Sequence, residues 1–104
     1  ITAVSGSGPA YIFYISEIIQ KVAVELGLPK RFVSKLVNFT ILGAAKMLSE
    51  EKLTAEELKK AVTSKGGTTE QALDVFKQYK VEKIFYKAIK KAYIRAKQLS
   101  ELFN

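Results

Sequence analysis

The apolar positions along this chain recur every three or four residues, which is the spacing of one face of an α-helix. No stretch alternates apolar and polar residues in the manner of a half-buried β-strand. Short breaks rich in glycine, proline and threonine divide the pattern into separate segments. The sequence therefore predicts an all-α fold, a single helical domain of about five helices that spans residues 1–104.

The first two predicted helices are separated by a short break at residues 27–29, which read Gly-Leu-Pro. We expect the first helix to begin near Pro9, because proline is tolerated in a first turn, and to end at Gly27. The second helix follows at once and has a wide apolar face. Gly43 and the two alanines after it lie on that face, where small side chains let another helix approach closely. A helix of this chain or of a second copy would satisfy this pattern.

Three more helices are predicted in the second half of the chain. Thr54 and Glu57 have the spacing of a capping box, which predicts a short third helix. Thr68 and Gln71 match the same pattern, so Thr68 is the predicted N-cap of a fourth helix that ends around Tyr79. The fifth helix is the longest.

The fifth predicted helix has an apolar side and a basic side. Its apolar side carries Ile84, Phe85, Ala88, Ile89, Ala92, Ala96, Leu99 and Phe103. Its basic side carries Lys83, Lys87, Lys90, Lys91 and Lys97. Long helices with wide apolar faces can each bury more than one partner, so in a chain of 104 residues we expect a helical oligomer.

The formal net charge of +7 raises the question of a nucleic-acid partner. The lysines of the last helix follow a face that we expect to be solvated, and Glu82 and Glu101 interrupt them. Phe85 and Phe103 lie on the apolar side, which suits packing better than base stacking. We therefore expect no nucleic-acid partner, with a basic helical nucleic-acid-binding module as an alternative hypothesis.

The chain has no cysteine and no histidine. Disulfides, thiolate zinc sites, cysteine nucleophiles and the usual general base near neutral pH are therefore excluded, and no metal site is expected. The sequence starts at Ile1 without a basic leader or a long apolar segment. We interpret it as a processed or excised piece of a protein that is neither secreted nor membrane-bound, and expect a cytoplasmic location.

The segment Gly6-Ser7-Gly8-Pro9-Ala10-Tyr11 half matches the dinucleotide fingerprint G-x-G-x-x-G. Tyr11 occupies the third glycine position, Pro9 lacks an N–H donor, and no βαβ pattern surrounds the segment. We interpret it as the entry to the first helix, so no cofactor-binding residue is expected here.

The clearest chemical signal is the stretch SKGGTTEQ, which begins at Ser64. Gly66 and Gly67 would lie just outside the fourth helix, where positive φ angles cost them little. The amides of Gly67, Thr68 and Thr69 can then converge on one point near the positive end of the helix dipole, with flanking hydroxyls from Ser64 and Thr69. A carboxylate or phosphate fits this arrangement. A tight turn followed by a capped helix explains the same residues, and both interpretations remain open from spacing alone.

Four motifs occur in order along the chain, namely SGSGPAY from Ser5, GLP from Gly27, LGAAKML from Leu42 and VTSKGGTT from Val62. In this order and spacing they closely resemble the C-terminal domain of Δ1-pyrroline-5-carboxylate reductases, the enzymes of the last step of proline biosynthesis. The resemblance runs from Ile1 to the terminal helix.

The resemblance implies an all-helical domain that interlocks with its twin as a homodimer, often within a larger assembly. It implies that an N-terminal Rossmann domain outside residues 1–104 binds NAD(P)H, so this chain would hold no cofactor and would be inactive alone. The substrate would be pyrroline-5-carboxylate, whose C=N bond is reduced to give L-proline. A structural helical dimer without a ligand remains the alternative.

The resemblance also implies roles for five of the six residues of the SKGGTT loop. The family's substrate-contacting serine and threonine fall on Ser64 and Thr69 of this chain. Its segment of amide donors to the substrate carboxylate matches Gly66, Gly67 and Thr68. Thr69 is expected to lie closest to the ring nitrogen of the substrate and is the candidate catalytic residue.

Lys65 departs from the family pattern, in which proline is common at this position. Proline would fix φ and stiffen the loop, so lysine leaves the unbound loop more mobile. We expect the Lys65 ammonium to point into solvent. Assistance in binding the substrate carboxylate is the alternative.

Overall fold

The computed structural model describes residues 1–103, which form five α-helices in the predicted order: α1 (Gly8–Glu25), α2 (Lys30–Glu50), α3 (Ala55–Ala61), α4 (Thr68–Gln78) and α5 (Val81–Phe103). The described residues contain no β-strand. The all-α prediction is therefore confirmed. The sequence pattern did not reveal a short π-helix at Thr2–Gly6, which precedes α1.

The contacts of the chain divide it into two compact units. The central unit is Ala10–Ala61 and holds α2, α3 and most of α1. The terminal unit combines Ile1–Pro9 with the chain from Val62 onward, and holds the π-helix, α4 and α5.

In the central unit, α1 ends at the predicted glycine. Gly27 has a φ of +99°, a left-handed conformation that glycine adopts without strain. The Gly27 N–H donates to the Val24 carbonyl at 3.0 Å, and the Leu28 N–H donates to the Ala23 carbonyl at 3.1 Å. This pair of bonds is a Schellman motif, which satisfies the last carbonyls of α1 and reverses the chain.

The core of the central unit is small and contains one polar connection. Ala23, Val33 and Val37 are buried, and Ile41 packs against them. Ser16 is also buried, and its Oγ donates to Asn38 Oδ1 at 2.6 Å, which joins α1 to α2. A buried hydroxyl needs such a partner, because leaving it unpaired would cost about 1–3 kcal/mol.

Helix α3 begins with the predicted capping box. The Glu57 amide donates to Thr54 Oγ1 at 3.1 Å, and the Thr54 amide donates to Glu57 Oε1 at 2.9 Å. The bond from the Thr54 amide is the main cause that lowers the pKa of the Glu57 carboxyl, and the Thr54 side chain is the second. The prediction for this helix start is confirmed.

In the terminal unit, the π-helix and α4 both contact α5. Ala3 of the π-helix is buried. Helices α4 and α5 are joined by a tight turn in which Lys80 has a φ of +56°. A left-handed conformation costs a non-glycine residue about 1–2 kcal/mol, and lysine gives no sequence signal for it.

Both units leave large apolar side chains exposed. In the central unit Phe39 is 72% exposed and Leu36 is 54% exposed. In the terminal unit Ile84 is 58% exposed, and the lysines opposite it on α5 are exposed as well. The predicted wide apolar faces are thus present, and only small parts of them are covered within the chain. Among residues 1–103, no helix combines the length and apolar character needed to cross a membrane.

Candidate functional site

The SKGGTT loop forms a tight turn directly before α4. The Gly67 N–H donates to the Ser64 carbonyl oxygen at 3.0 Å, which closes the turn. Gly66 has a φ of +75°, so this position requires the conformational freedom of glycine.

The N-cap of α4 is Gly67, so the prediction that Thr68 caps this helix is wrong. Gly67 has extended backbone angles, with φ −85° and ψ 179°, and its carbonyl accepts from the Gln71 N–H at 3.3 Å. Thr68 is the first helical residue, and a residue with helical backbone angles does not occupy the cap position. No side chain of the described residues makes an N-cap hydrogen bond here.

The carboxylate of Glu70 takes part in the turn, which sequence analysis missed. Glu70 Oε1 accepts a hydrogen bond from the Gly66 N–H at 3.0 Å. Glu70 stands three residues after Gly67, the same spacing that was assigned to Thr68 and Gln71. The Gly-x-x-Glu spacing was therefore the sequence signal for this contact, and it overlaps the Thr-x-x-Gln spacing one residue later.

The amides of the turn differ in whether they already have an acceptor. Those of Gly66 and Gly67 donate to Glu70 and Ser64. Thr68 and Thr69 are the first two residues of α4, and amides at these positions have no acceptor inside a helix. They also lie at the positive end of the helix dipole. The amides of Thr68 and Thr69 are therefore available to an external anion.

The Ser64 side chain packs against Gly67. A Cβ added at Gly67 would overlap Ser64 Oγ and would lie 3.1 Å from the Ser64 carbonyl oxygen. A side chain at Gly67 would therefore displace the Ser64 hydroxyl and press against the Ser64 carbonyl oxygen.

The turn places all five predicted site residues within one short segment of the terminal unit. Gly67 and Thr69 are half-buried, whereas Ser64, Gly66 and Thr68 are exposed. Lys65 is exposed too, as expected for an ammonium group in solvent. The site is consequently an open turn that a ligand can reach from solvent.

Two other features of the described residues bear on the chemistry. Residues 1–103 contain no group of three or more acidic side chains that could hold a metal ion. Gly8 and Pro9 form the start of α1 and follow the π-helix instead of a strand. This location agrees with a helix entry and does not match a Rossmann dinucleotide-binding loop.

Comparison with known proteins gave a family match over nearly the whole chain. A family model described as pyrroline-5-carboxylate reductase dimerisation matches residues 1–99. A pyrroline-5-carboxylate reductase of Staphylococcus haemolyticus is 38% identical over 101 residues, which cover 97% of this chain and 37% of that protein. One of Staphylococcus aureus strain COL is 37% identical over 102 residues, which cover 98% of this chain and 38% of that protein.

Comparison with solved structures also matched reductases of this kind. A pyrroline-5-carboxylate reductase of Coxiella burnetii matches with a TM-score of 0.91 and 47% identity, over 95% of this chain and 37% of the other. The Plasmodium falciparum pyrroline carboxylate reductase with NADP bound matches with a TM-score of 0.88 and 29% identity, over 93% of this chain and 39% of the other. The chain thus spans between 37% and 39% of the length of these relatives.

Proposed function

Because the chain belongs to the pyrroline-5-carboxylate reductase dimerisation family, we propose that residues 1–104 are the C-terminal domain of a pyrroline-5-carboxylate reductase. The whole enzyme would reduce Δ1-pyrroline-5-carboxylate to L-proline in the cytoplasm. A Rossmann domain N-terminal to these residues would bind NAD(P)H. This chain would bind the substrate and form the dimer, and no nucleic-acid partner is proposed.

The proposal rests on the unpaired amides at the start of α4, which lie inside the segment matched by the family model. The Thr68 and Thr69 amides lead this helix and have no acceptor inside it. We assign the substrate carboxylate to these amides, with the hydroxyls of Ser64 and Thr69 beside it. Gly66 and Gly67 would shape the turn that presents the two amides.

In this assignment the chain contributes positioning. NAD(P)H, when bound by the other domain, supplies the hydride that the C=N carbon receives. The carboxylate clamp would fix the ring in one orientation, and Thr69 Oγ1 would lie nearest to the ring nitrogen. Holding the reacting groups in place removes much of the entropic cost of bringing them together. With no histidine or cysteine in the chain, we assign the proton on nitrogen to solvent.

The partner of the exposed apolar faces is, in this proposal, a second copy of the chain. Side chains such as Phe39 and Ile84 are more than half exposed, and burying a large apolar side chain gains about 1.5–3 kcal/mol. Sedimentation equilibrium of the chain should therefore give at least a dimer at micromolar concentration. A stable monomer would contradict the interlocking arrangement.

The site is tested by Thr69→Ala in the full-length enzyme. Loss of a hydrogen bond to the substrate costs about 1–3 kcal/mol, so kcat/KM for pyrroline-5-carboxylate should fall about 5-fold to 150-fold. The dissociation constant of NAD(P)H should change little, because its binding domain is untouched.

Thr69→Ser is the matched control, since it keeps the hydroxyl, and it should retain most of the activity. If Thr69→Ala leaves kcat/KM unchanged, Thr69 has no role in the reaction. Equal losses for the alanine and serine variants would show that the methyl group matters instead. A purely structural helical dimer would show no effect of either variant on substrate binding.

A further inference from the structure

Glu70 introduces a negative charge into the turn that the proposed function assigns to an anion. Its side chain is half-buried, and Oε1 accepts from the Gly66 N–H at 3.0 Å. Neither the carboxylate clamp nor the Thr69 hydroxyl accounts for this acid. An acid in the first turn is itself stabilised by the helix dipole, which explains why it is tolerated there.

The charge of Glu70 acts on the same end of α4 as the two leading amides. Gly66 and Thr68 are two residues apart, so their nitrogens are separated by no more than about 7 Å. Glu70 Oε1 lies 3.0 Å from the Gly66 nitrogen, so this oxygen lies within about 10 Å of the Thr68 nitrogen. The Debye length at physiological ionic strength is about 8 Å, close to this upper limit, so salt weakens the interaction without removing it. An anion bound at Thr68 and Thr69 would therefore experience the Glu70 charge.

We propose that Glu70 is a specificity-determining residue of this site. Its carboxylate holds the turn through the Gly66 N–H, and its charge favours a single carboxylate that carries a cationic nitrogen over a dianion such as phosphate. A ring amino acid like proline has one negative and one positive group, so its net interaction with Glu70 is small. A phosphate dianion has no compensating charge and is repelled. This inference rests on the proposed function, because it concerns the ligand of that site.

Two substitutions test separately the charge of Glu70 and its hydrogen bond with the Gly66 N–H. Glu70→Gln removes the charge and keeps an oxygen that can accept from the Gly66 N–H. Glu70→Ala removes both the charge and the acceptor. Asp74→Asn is the matched control, because it removes an exposed acid from the same helix one turn further from its start.

The experiment measures inhibition constants in the full-length reductase at saturating NAD(P)H, with inorganic phosphate and L-proline as inhibitors that compete with pyrroline-5-carboxylate. Glu70→Gln should strengthen phosphate inhibition about threefold to tenfold and change proline inhibition less than about twofold. Glu70→Ala should weaken proline inhibition about fivefold, because the turn loses a hydrogen bond, and glutamine should rescue that loss. Asp74→Asn should match the wild type within about twofold.

Unchanged phosphate inhibition in Glu70→Gln would overturn the charge role, and so would phosphate inhibition that competes only with NAD(P)H. Equal proline inhibition in the alanine and glutamine variants would overturn the role in holding the turn. Thermal unfolding at the wild-type temperature excludes loss of folding as the cause. Thr69→Ala distinguishes the two proposals: if it alters kcat/KM while the Glu70 variants behave as wild type, the proposed function stands and only the role of Glu70 fails.

Discussion

Helices α3 and α4 differ in how the backbone amides at their starts are paired. At α3, Thr54 and Glu57 exchange two hydrogen bonds, and the cap is closed. At α4 the cap is Gly67, which has no side chain, and the acid Glu70 reaches past it to the Gly66 amide.

The glutamate of each first turn accepts from a different amide relative to the N-cap. The Glu57 carboxylate bonds the amide of the cap residue itself, whereas the Glu70 carboxylate bonds the amide before the cap. Threonine at the cap of α3 satisfies the Glu57 amide through its hydroxyl. A glycine cap offers no such acceptor, so the Glu70 amide of α4 has no acceptor from the cap residue, in addition to the Thr68 and Thr69 amides, which have none inside the helix. The start of α3 has its cap residue and third amide paired with side chains, whereas the start of α4 has no hydrogen bond from the side chain of its cap residue.

The largest effect is expected when Gly67, the N-cap of α4, is given a side chain. In Gly67→Ala the new Cβ would overlap Ser64 Oγ, so the Ser64 hydroxyl, a predicted substrate contact, or the turn itself has to move. A misplacement of about 1 Å can cost about 100-fold in rate, and kcat/KM for pyrroline-5-carboxylate should fall by that order in the full-length enzyme.

Gly8→Ala is the control for Gly67→Ala, because no atom lies within 4 Å of a Cβ added there and its φ is not left-handed. It should leave kcat/KM near the wild-type value. Wild-type kinetics in Gly67→Ala would mean that the geometry of the turn does not matter for the reaction.

A smaller effect is expected at Thr54 and Thr68, which both have the spacing of a capping box in the sequence. Thr54→Ala removes a cap hydroxyl and should destabilise α3 by about 0.5–2 kcal/mol. Thr68→Ala removes the side chain of a first helical residue and should change the stability of α4 by no more than about 0.5 kcal/mol. Amide hydrogen exchange checks both, read at Leu58 for α3 and at Gln71 for α4, since each donates into the first turn of its helix.

Faster exchange at Gln71 in Thr68→Ala, as large as that at Leu58 in Thr54→Ala, would contradict the difference between the caps. It would restore Thr68 as the N-cap. Wild-type exchange in both variants would mean that neither hydroxyl contributes to the start of its helix.

The helices could be predicted from the sequence because their signals are local. Gly27 ends α1 with a positive φ, and the Thr54–Glu57 box starts α3, as expected from spacing. Apolar periodicity located the long helices for the same reason, since it depends only on the order of residues along one element.

The features that sequence analysis missed depend on competition between neighbours or on contacts across the chain. Thr68 and Gly67 both suit an N-cap, and only the observed backbone angles decide for Gly67. Lys80 adopts a left-handed conformation in the turn between α4 and α5, where glycine would have been expected. The π-helix at Thr2–Gly6 contacts α5, a contact between distant parts of the sequence.

The sequence predicted where the SKGGTT loop lies, but not which of its amides are already engaged within the turn. The SKGGTT loop lies before α4 as predicted, and its five candidate residues lie within one turn. Spacing assigned three converging amides to Gly67, Thr68 and Thr69. The Gly67 amide is engaged by the Ser64 carbonyl, a bond that depends on how the turn closes and that no spacing rule reports.

The central claim, that the start of α4 binds a carboxylate and the start of α3 does not, is tested most directly by amide NMR. L-proline would be titrated into the 104-residue chain, with the leading amides of both helices followed together. We expect saturable shifts at Thr68, Thr69 and Glu70 and no shift at Glu57, whose amide already donates to Thr54 Oγ1. Equal shifts at both helix starts, or shifts confined to the lysines of α5, would contradict the claim.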